Sequence, residues 1–115
     1  MKGIITICGS TKFKREYEEV AKELTIADYA VLSVGAFLHS DTELKDRITN
    51  EVKSQLDRLH LEKISISQAI VVINQDNYIG KSTQNEINYA QKLGKPVYYY
   101  ITTHYDELFW RDLID

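Results

Sequence analysis

The stretch IVVINQDNYIGKSTQNEINYA, residues 70–90, decides the fold. Its apolar opening at 70–74 is typical of a buried strand, and a glycine-bearing loop then leads into a helix that ends at Gly94. Open α/β sheets usually bind small ligands where a loop leaves the carboxyl end of a strand and opens a helix. The stretch therefore predicts both an α/β fold and the place of its ligand site.

The rest of the chain repeats this alternation of strand and helix. The long helix after the loop at 35–42 has Ser40 or Thr42 as its cap and apolar positions from Leu44 to Leu59. The tail at 106–115 predicts a last amphipathic helix or turn, which packs back on the fold or meets a partner subunit. The other predicted elements are a helix at about 12–26 and strands at 3–8, 29–34 and 97–101.

Strands separated by helices imply a parallel sheet with right-handed crossovers. We therefore predict one α/β domain over residues 1–115, a Rossmann- or flavodoxin-like parallel-sheet sandwich of about four strands with flanking helices. A chain of 115 residues is large enough for one hydrophobic core but not for two.

Composition excludes several classes of function. Fourteen basic and seventeen acidic side chains give a formal charge of −3, with no lysine or arginine block, which argues against a nucleic-acid polymer as partner. The sequence has neither a long apolar run nor a secretory leader, so we expect no membrane contact and a cytoplasmic location. We also expect no cofactor.

Glu86 allows two interpretations. Thr83 and Glu86 match the capping-box pattern, in which the glutamate folds back onto the start of its own helix. Alternatively, the carboxylate faces the ligand crevice as a nucleophile or base. The two interpretations exclude each other, because one carboxylate cannot point both ways.

A second candidate binding segment, Gly9-Ser10-Thr11-Lys12, follows the first strand. Glycine allows close backbone approach, the hydroxyls can donate, and the following helix attracts anions. The same residues also suit an ordinary turn and cap. Gln75 stands where a phosphate-binding P-loop needs its first glycine, so the pattern disfavours ATP hydrolysis.

The histidines and the single cysteine predict no metal site. His39, His60 and His104 have no ligand spacing on one helix, and Cys8 has no second cysteine nearby. Cys8 is expected to be a small apolar strand residue, with a catalytic role as the less favoured alternative. His60, near the end of the long helix, is either a core-edge histidine or an acid/base group.

Five blocks together resemble the nucleoside 2-deoxyribosyltransferase superfamily, including deoxynucleoside-monophosphate N-glycosidases. The resemblance runs from residue 3 to about residue 101. The blocks are ICGSTKF at 7–13, LSVG at 32–35, LHLEKI at 59–64, YIGKSTQNEINYA at 78–90 and GKPV at 94–97.

The resemblance implies a role for Glu86 as the nucleophile that attacks C1′ of deoxyribose. It also implies that His60 takes the place of a helical aspartate that assists proton transfer, while Gln68 replaces the aspartate that opens the following strand in the relatives. Implied sugar and phosphate contacts lie in the two loops, at Gly9, Ser10, Thr11, Lys12, Tyr78, Gly80, Lys81 and Ser82. The relatives complete their sites with a neighbouring subunit, so a homo-oligomer is expected.

The leading functional hypothesis is cleavage or transfer of the N-glycosidic bond of a nucleoside or its 5′-monophosphate. The first alternative is a nucleotide-binding module without turnover, favoured by the replacements at His60 and Gln68. The second is a partner-binding domain that uses the Phe109-Trp110 tail.

Overall fold

The computed structural model describes residues 1–37 and 41–115, so His39 and Ser40 lie outside the described residues. The described residues form one sheet of five strands in the order β2-β1-β3-β4-β5, and every neighbouring pair is parallel. The strands are β1 (Gly3–Gly9), β2 (Tyr29–Leu32), β3 (Ala69–Ile73), β4 (Val97–Tyr99) and β5 (Leu108–Phe109).

The predicted Rossmann- or flavodoxin-like α/β class is confirmed, with five strands rather than four. The additional strand β5 comes from the tail, which was predicted as a helix or turn. It is two residues long and pairs Leu108 with Tyr98 and Phe109 with Tyr99. A strand this short has too few positions to display an alternating pattern in the sequence.

Within the described ranges, three α-helices flank the sheet: α1 (Lys14–Ile26), α2 (Asn50–Ser65) and α3 (Lys81–Lys92). Short 3₁₀ helices lie at Thr42–Arg47, Gln75–Asn77 and Trp110–Leu113. The predicted uninterrupted helix after residue 42 is wrong, because the chain is extended at Ile48 and Thr49.

A local hydrogen bond explains this break. The Thr49 side chain accepts from the backbone N–H of Val52 at 3.1 Å and caps α2. Asp41, rather than Thr42, caps the preceding 3₁₀ turn by accepting from Glu43 N–H at 3.1 Å. Threonine and aspartate compete with the helix for backbone donors, so they end or start helices without glycine or proline.

The sheet separates two apolar layers. Ile5, Ile7, Val71 and Ile73 pack with α1 and Trp110, whereas Cys8, Ile70 and Val72 pack with α2 and α3. Successive strand side chains alternate between faces, so this register turns Cys8 toward the two helices that carry His60 and Glu86.

The tail packs back on its own chain. Trp110 is buried and its ring stacks on Tyr100, with 5.9 Å between centroids and 17° between planes. The Tyr29 hydroxyl donates to the Leu113 carbonyl at 2.9 Å, which ties the last turn to β2. The expected homo-oligomer stays a prediction.

Candidate active site

A pocket of about 410 Å³ opens beyond the carboxyl ends of β1 and β3. In a sheet of this order the direction of winding reverses between these two strands, and ligands bind at that crevice. The volume is within the usual range for small-molecule sites, roughly 300–1,000 Å³. The pocket is lined by Gly9, Ser10, Thr11, Val34, Gly35, Ala36, Lys53, Leu56, Asp57, His60, Lys63, Tyr78, Gly80, Lys81, Ser82, Thr83 and Glu86.

The binding and catalytic residues predicted from the sequence all line this pocket, with the exception of Lys12. The Lys12 ammonium lies over the Tyr78 ring, 3.7 Å from its centroid, and Phe13 meets that ring edge-on at 6.2 Å. Lys12 therefore contacts a residue of the pocket wall and supports the position of Tyr78.

A glycine is needed at position 9 because another strand packs closely against it, as well as because a ligand could approach its backbone. Its φ is +145°, and a Cβ there would lie 2.8 Å from the Ile73 carbonyl oxygen. The neighbouring strand β3 therefore fixes a glycine at the end of β1, and the Tyr17 hydroxyl donates to the Gly9 carbonyl at 2.8 Å. Both contacts hold the turn that carries Ser10.

The capping-box interpretation of Glu86 is wrong. Helix α3 begins at Lys81 with Gly80 as its N-cap, and Thr83 is a buried residue inside the helix. Glu86 consequently lies in the second turn, not the first, and its side chain reaches the pocket wall. A glycine N-cap also leaves the first N–H groups of α3 without a capping side chain, as anion binding requires.

Three side chains from separate elements meet beside the pocket, where His60 and Glu86 line the wall and Cys8 is buried behind them. The Cys8 sulfur lies 3.4 Å from His60 Nε2, and His60 Nε2 lies 3.8 Å from Glu86 Oε1. The donor atoms of Cys8, His60 and Glu86 all lie within 4.8 Å of one another. Cys8 is fully buried, and only 7% of the His60 and 14% of the Glu86 side chain is exposed.

Burial controls the charges in this cluster. It raises the pKa of Glu86 to about 7, with a hydrogen bond from Cys8 opposing the rise and the charge of Asp57 adding to it. It raises the pKa of Cys8 well above the ordinary range, helped by the nearby Glu86 charge. Cys8 is therefore a neutral thiol, and Glu86 is about half ionised at neutral pH.

His60 is uncharged at neutral pH. Burial and the positive charge of Lys63 lower its pKa to about 4, although a hydrogen bond to the backbone of Ile7 acts in the other direction. The 3.8 Å contact with Glu86 is therefore not an ion pair at pH 7, because an ion pair needs the imidazolium. This argues against His60 as a cationic general acid near neutral pH.

Several pocket residues were missed in the sequence. Asp57 lies on α2 one turn before His60, and Lys53 lies one turn further back. Lys63 also lines the pocket, where its ammonium donates to the Ser33 carbonyl at 2.7 Å. The spacing of 53, 57 and 60 on one helical face was the available signal, but solvated faces of surface helices carry similar charges.

Gln68 lies at the opposite end of the sheet from the pocket. Its side-chain oxygen accepts a hydrogen bond from the backbone N–H of Ile4, just before β3 begins. Gln68 therefore does not line the pocket. His104 is exposed and is not among the lining residues.

Comparison with protein families, with curated protein sequences and with solved structures finds no match for this chain. Among the described residues, no helix has the length and apolar character needed to cross a membrane.

Proposed function

We propose that the protein cleaves or transfers the N-glycosidic bond of a nucleoside or nucleoside 5′-monophosphate through Glu86. The observation that carries the proposal is the position of the Glu86 carboxylate in the pocket, near the Gly9-Ser10 turn rather than on its own helix start. The sequence blocks that resemble the deoxyribosyltransferase superfamily suggest the choice of reaction.

The chemistry follows retaining glycosyl transfer. A Glu86 oxygen bonds to C1′, the C1′–N bond breaks, and its electron pair leaves with the base, which takes up a proton. Water then hydrolyses the glycosyl ester, or a second base takes the sugar. A pKa of about 7 leaves enough Glu86 carboxylate at neutral pH to act as nucleophile.

The leaving base needs a proton donor. His60, with a pKa of about 4, is neutral at pH 7 and therefore does not donate this proton. Asp57 is the second carboxyl group of the pocket, on the same face of α2. We propose Asp57 as the group that exchanges a proton with the leaving base, as in enzymes that use two carboxyl groups.

The pocket favours a nucleotide over a nucleoside as the substrate. The N-terminus of α3 offers free N–H groups at Gly80, Lys81 and Ser82, and the Lys53 and Lys81 side chains are exposed at the pocket. These groups are complementary to a 5′-phosphate. A cytoplasmic location and homo-oligomeric assembly are part of the same proposal.

Release of free base from a panel of deoxynucleosides and their 5′-monophosphates tests the reaction. We expect release by the wild type, abolished in Glu86→Gln and retained in Asn85→Ala, which changes an exposed neighbour on α3. No release from any substrate, or undiminished release by Glu86→Gln, would refute the proposal. An added acceptor base distinguishes a transferase, which forms a new nucleoside, from a hydrolase, which does not.

A nucleotide-binding module without turnover is the second candidate. The neutral state of His60 favours it, because this histidine then supplies no proton to a leaving base. Calorimetric binding of a nucleotide, with no base released over a long incubation, would support this alternative.

A further inference from the structure

The Cys8, His60 and Glu86 cluster has the spacing of a metal site. In a tetrahedral zinc site, metal–ligand bonds of about 2.0–2.3 Å put neighbouring donor atoms roughly 3.3–3.6 Å apart. The observed separations are 3.4 Å between Cys8 and His60 and 3.8 Å between His60 and Glu86, and the Cys8 and Glu86 donor atoms lie within 4.8 Å of each other. Small side-chain adjustments would therefore complete three bonds to one ion.

The donor types select the ion. A thiolate and an imidazole are ligands for zinc and related transition metals, whereas magnesium and calcium prefer oxygen. His60 and Glu86 line the pocket, so a fourth coordination position would open toward a ligand there.

We propose that Cys8, His60 and Glu86 bind one zinc-class divalent cation, with its fourth coordination position open to the pocket. Binding displaces the Cys8 proton, and the Glu86 proton where it is present, to solvent. One thiolate, one carboxylate and one neutral imidazole balance the two charges of the ion, so the buried site has no net charge.

The site does not depend on the glycosyl-transfer proposal. Ligation and attack on C1′ would use the same Glu86 carboxylate, so a bound ion and the reaction exclude each other. If the protein has the proposed activity, zinc is therefore expected to inhibit it.

Cobalt(II) titration of the untagged, chelator-treated full chain tests the proposal. Cys8 is the only cysteine of the sequence, so any thiolate-to-cobalt charge-transfer band reports this residue. We expect the band to saturate at one equivalent, to disappear when zinc replaces cobalt, and to be unaffected by magnesium.

Three variants and a control complete the experiment. Cys8→Ser abolishes the band, while His60→Ala and Glu86→Gln each weaken cobalt binding by about 100-fold or more, since the loss of outer contacts alone reaches 10- to 100-fold. Glu62→Gln, an exposed change on α2, leaves the titration unchanged. Circular dichroism and melting curves identify any variant that fails to fold.

Absence of a band at millimolar cobalt in the folded wild type would overturn the proposal. So would a band of unchanged affinity in folded His60→Ala and Glu86→Gln. Because the readout is a spectrum of metal binding, its failure is distinguishable from a failure of base release.

Discussion

Replacement of Glu86 by glutamine is expected to stabilise the protein at alkaline pH. The carboxyl group is largely buried, and its pKa rises from an ordinary 4.5 to about 7 in the folded state. The folded protein therefore holds this proton more tightly than the unfolded chain does. The resulting stabilisation is fully present below pH 4.5 and is lost as the pH rises through 7.

The size of the effect follows from the two pKa values. Between pH 5 and pH 8 the wild type loses about 2.5 kcal/mol of unfolding free energy through this one group. Glutamine has no proton to lose, so its variant lacks this dependence. The His60 titration occurs in both proteins and cancels to first order, and Cys8 is a neutral thiol in the folded protein because burial raises its pKa.

Urea denaturation in the presence of a chelator, at pH 5 and pH 8, measures the difference. The unfolding free energy of Glu86→Gln minus that of the wild type should increase by about 2.5 kcal/mol between the two pH values. The matched control is Glu62→Gln, which changes an exposed carboxylate on α2. If the unfolding free energies of Glu86→Gln and the wild type differ by the same amount at pH 5 and pH 8, the reasoning that Glu86 is buried without a compensating charge is refuted.

Three further predictions concern packing, capping and rate. Gly9→Ala lowers the melting temperature markedly, because the added Cβ would meet the Ile73 carbonyl. Gly35→Ala is the tolerated control, since open space surrounds Gly35. Equal losses of melting temperature in the two variants would contradict the close approach of Gly9 to Ile73. Thr49→Ala removes the cap of α2 and lowers the unfolding free energy by about 1 kcal/mol, measured by urea denaturation; no change would mean that the cap contributes nothing. If Glu86 attacks as the carboxylate, base release at subsaturating substrate rises about tenfold from pH 6 to pH 8, because the ionised fraction rises from about 0.09 to about 0.91. A flat or falling profile would exclude that step.

The apolar pattern was sufficient to predict the class of the fold. Continuous β-branched runs indicated the buried strands β1 and β3, and their neighbouring helices followed from apolar residues at helical spacing. The elements that were not predicted depend on hydrogen-bond partners, either nearby or far away in the sequence. The break before α2 coincides with the hydrogen bond that the Thr49 side chain accepts from Val52 N–H, and β5 exists only through its pairing with β4.

The start of α3 illustrates a wrong local prediction. Thr83 and Glu86 match a capping box in spacing, yet the helix starts earlier at Lys81. In the preceding loop, Asp76 and Asn77 take φ values of +58° and +57°, and this tight turn precedes the start at Lys81. A spacing pattern cannot reveal the backbone conformation that decides which residue becomes the cap.

The pocket was predictable in position but not in its electrostatics. Two strand-ending loops indicated the crevice, since the carboxyl ends of parallel strands share one edge of the sheet. Cys8 lies 52 residues from His60 in the chain, and their contact depends on the strand register and on the rotation of α2. The shifted pKa values of Glu86 and His60 arise from that packing, so the sequence alone does not contain them.

The most direct test of the central claim is mass spectrometry of the wild type quenched with acid during turnover of a deoxynucleoside 5′-monophosphate. We predict an adduct with the mass of the deoxyribosyl phosphate, located on the peptide that carries Glu86 and absent from Glu86→Gln. An adduct on another residue, or full turnover by Glu86→Gln without any adduct, would contradict the role of Glu86 as the nucleophile.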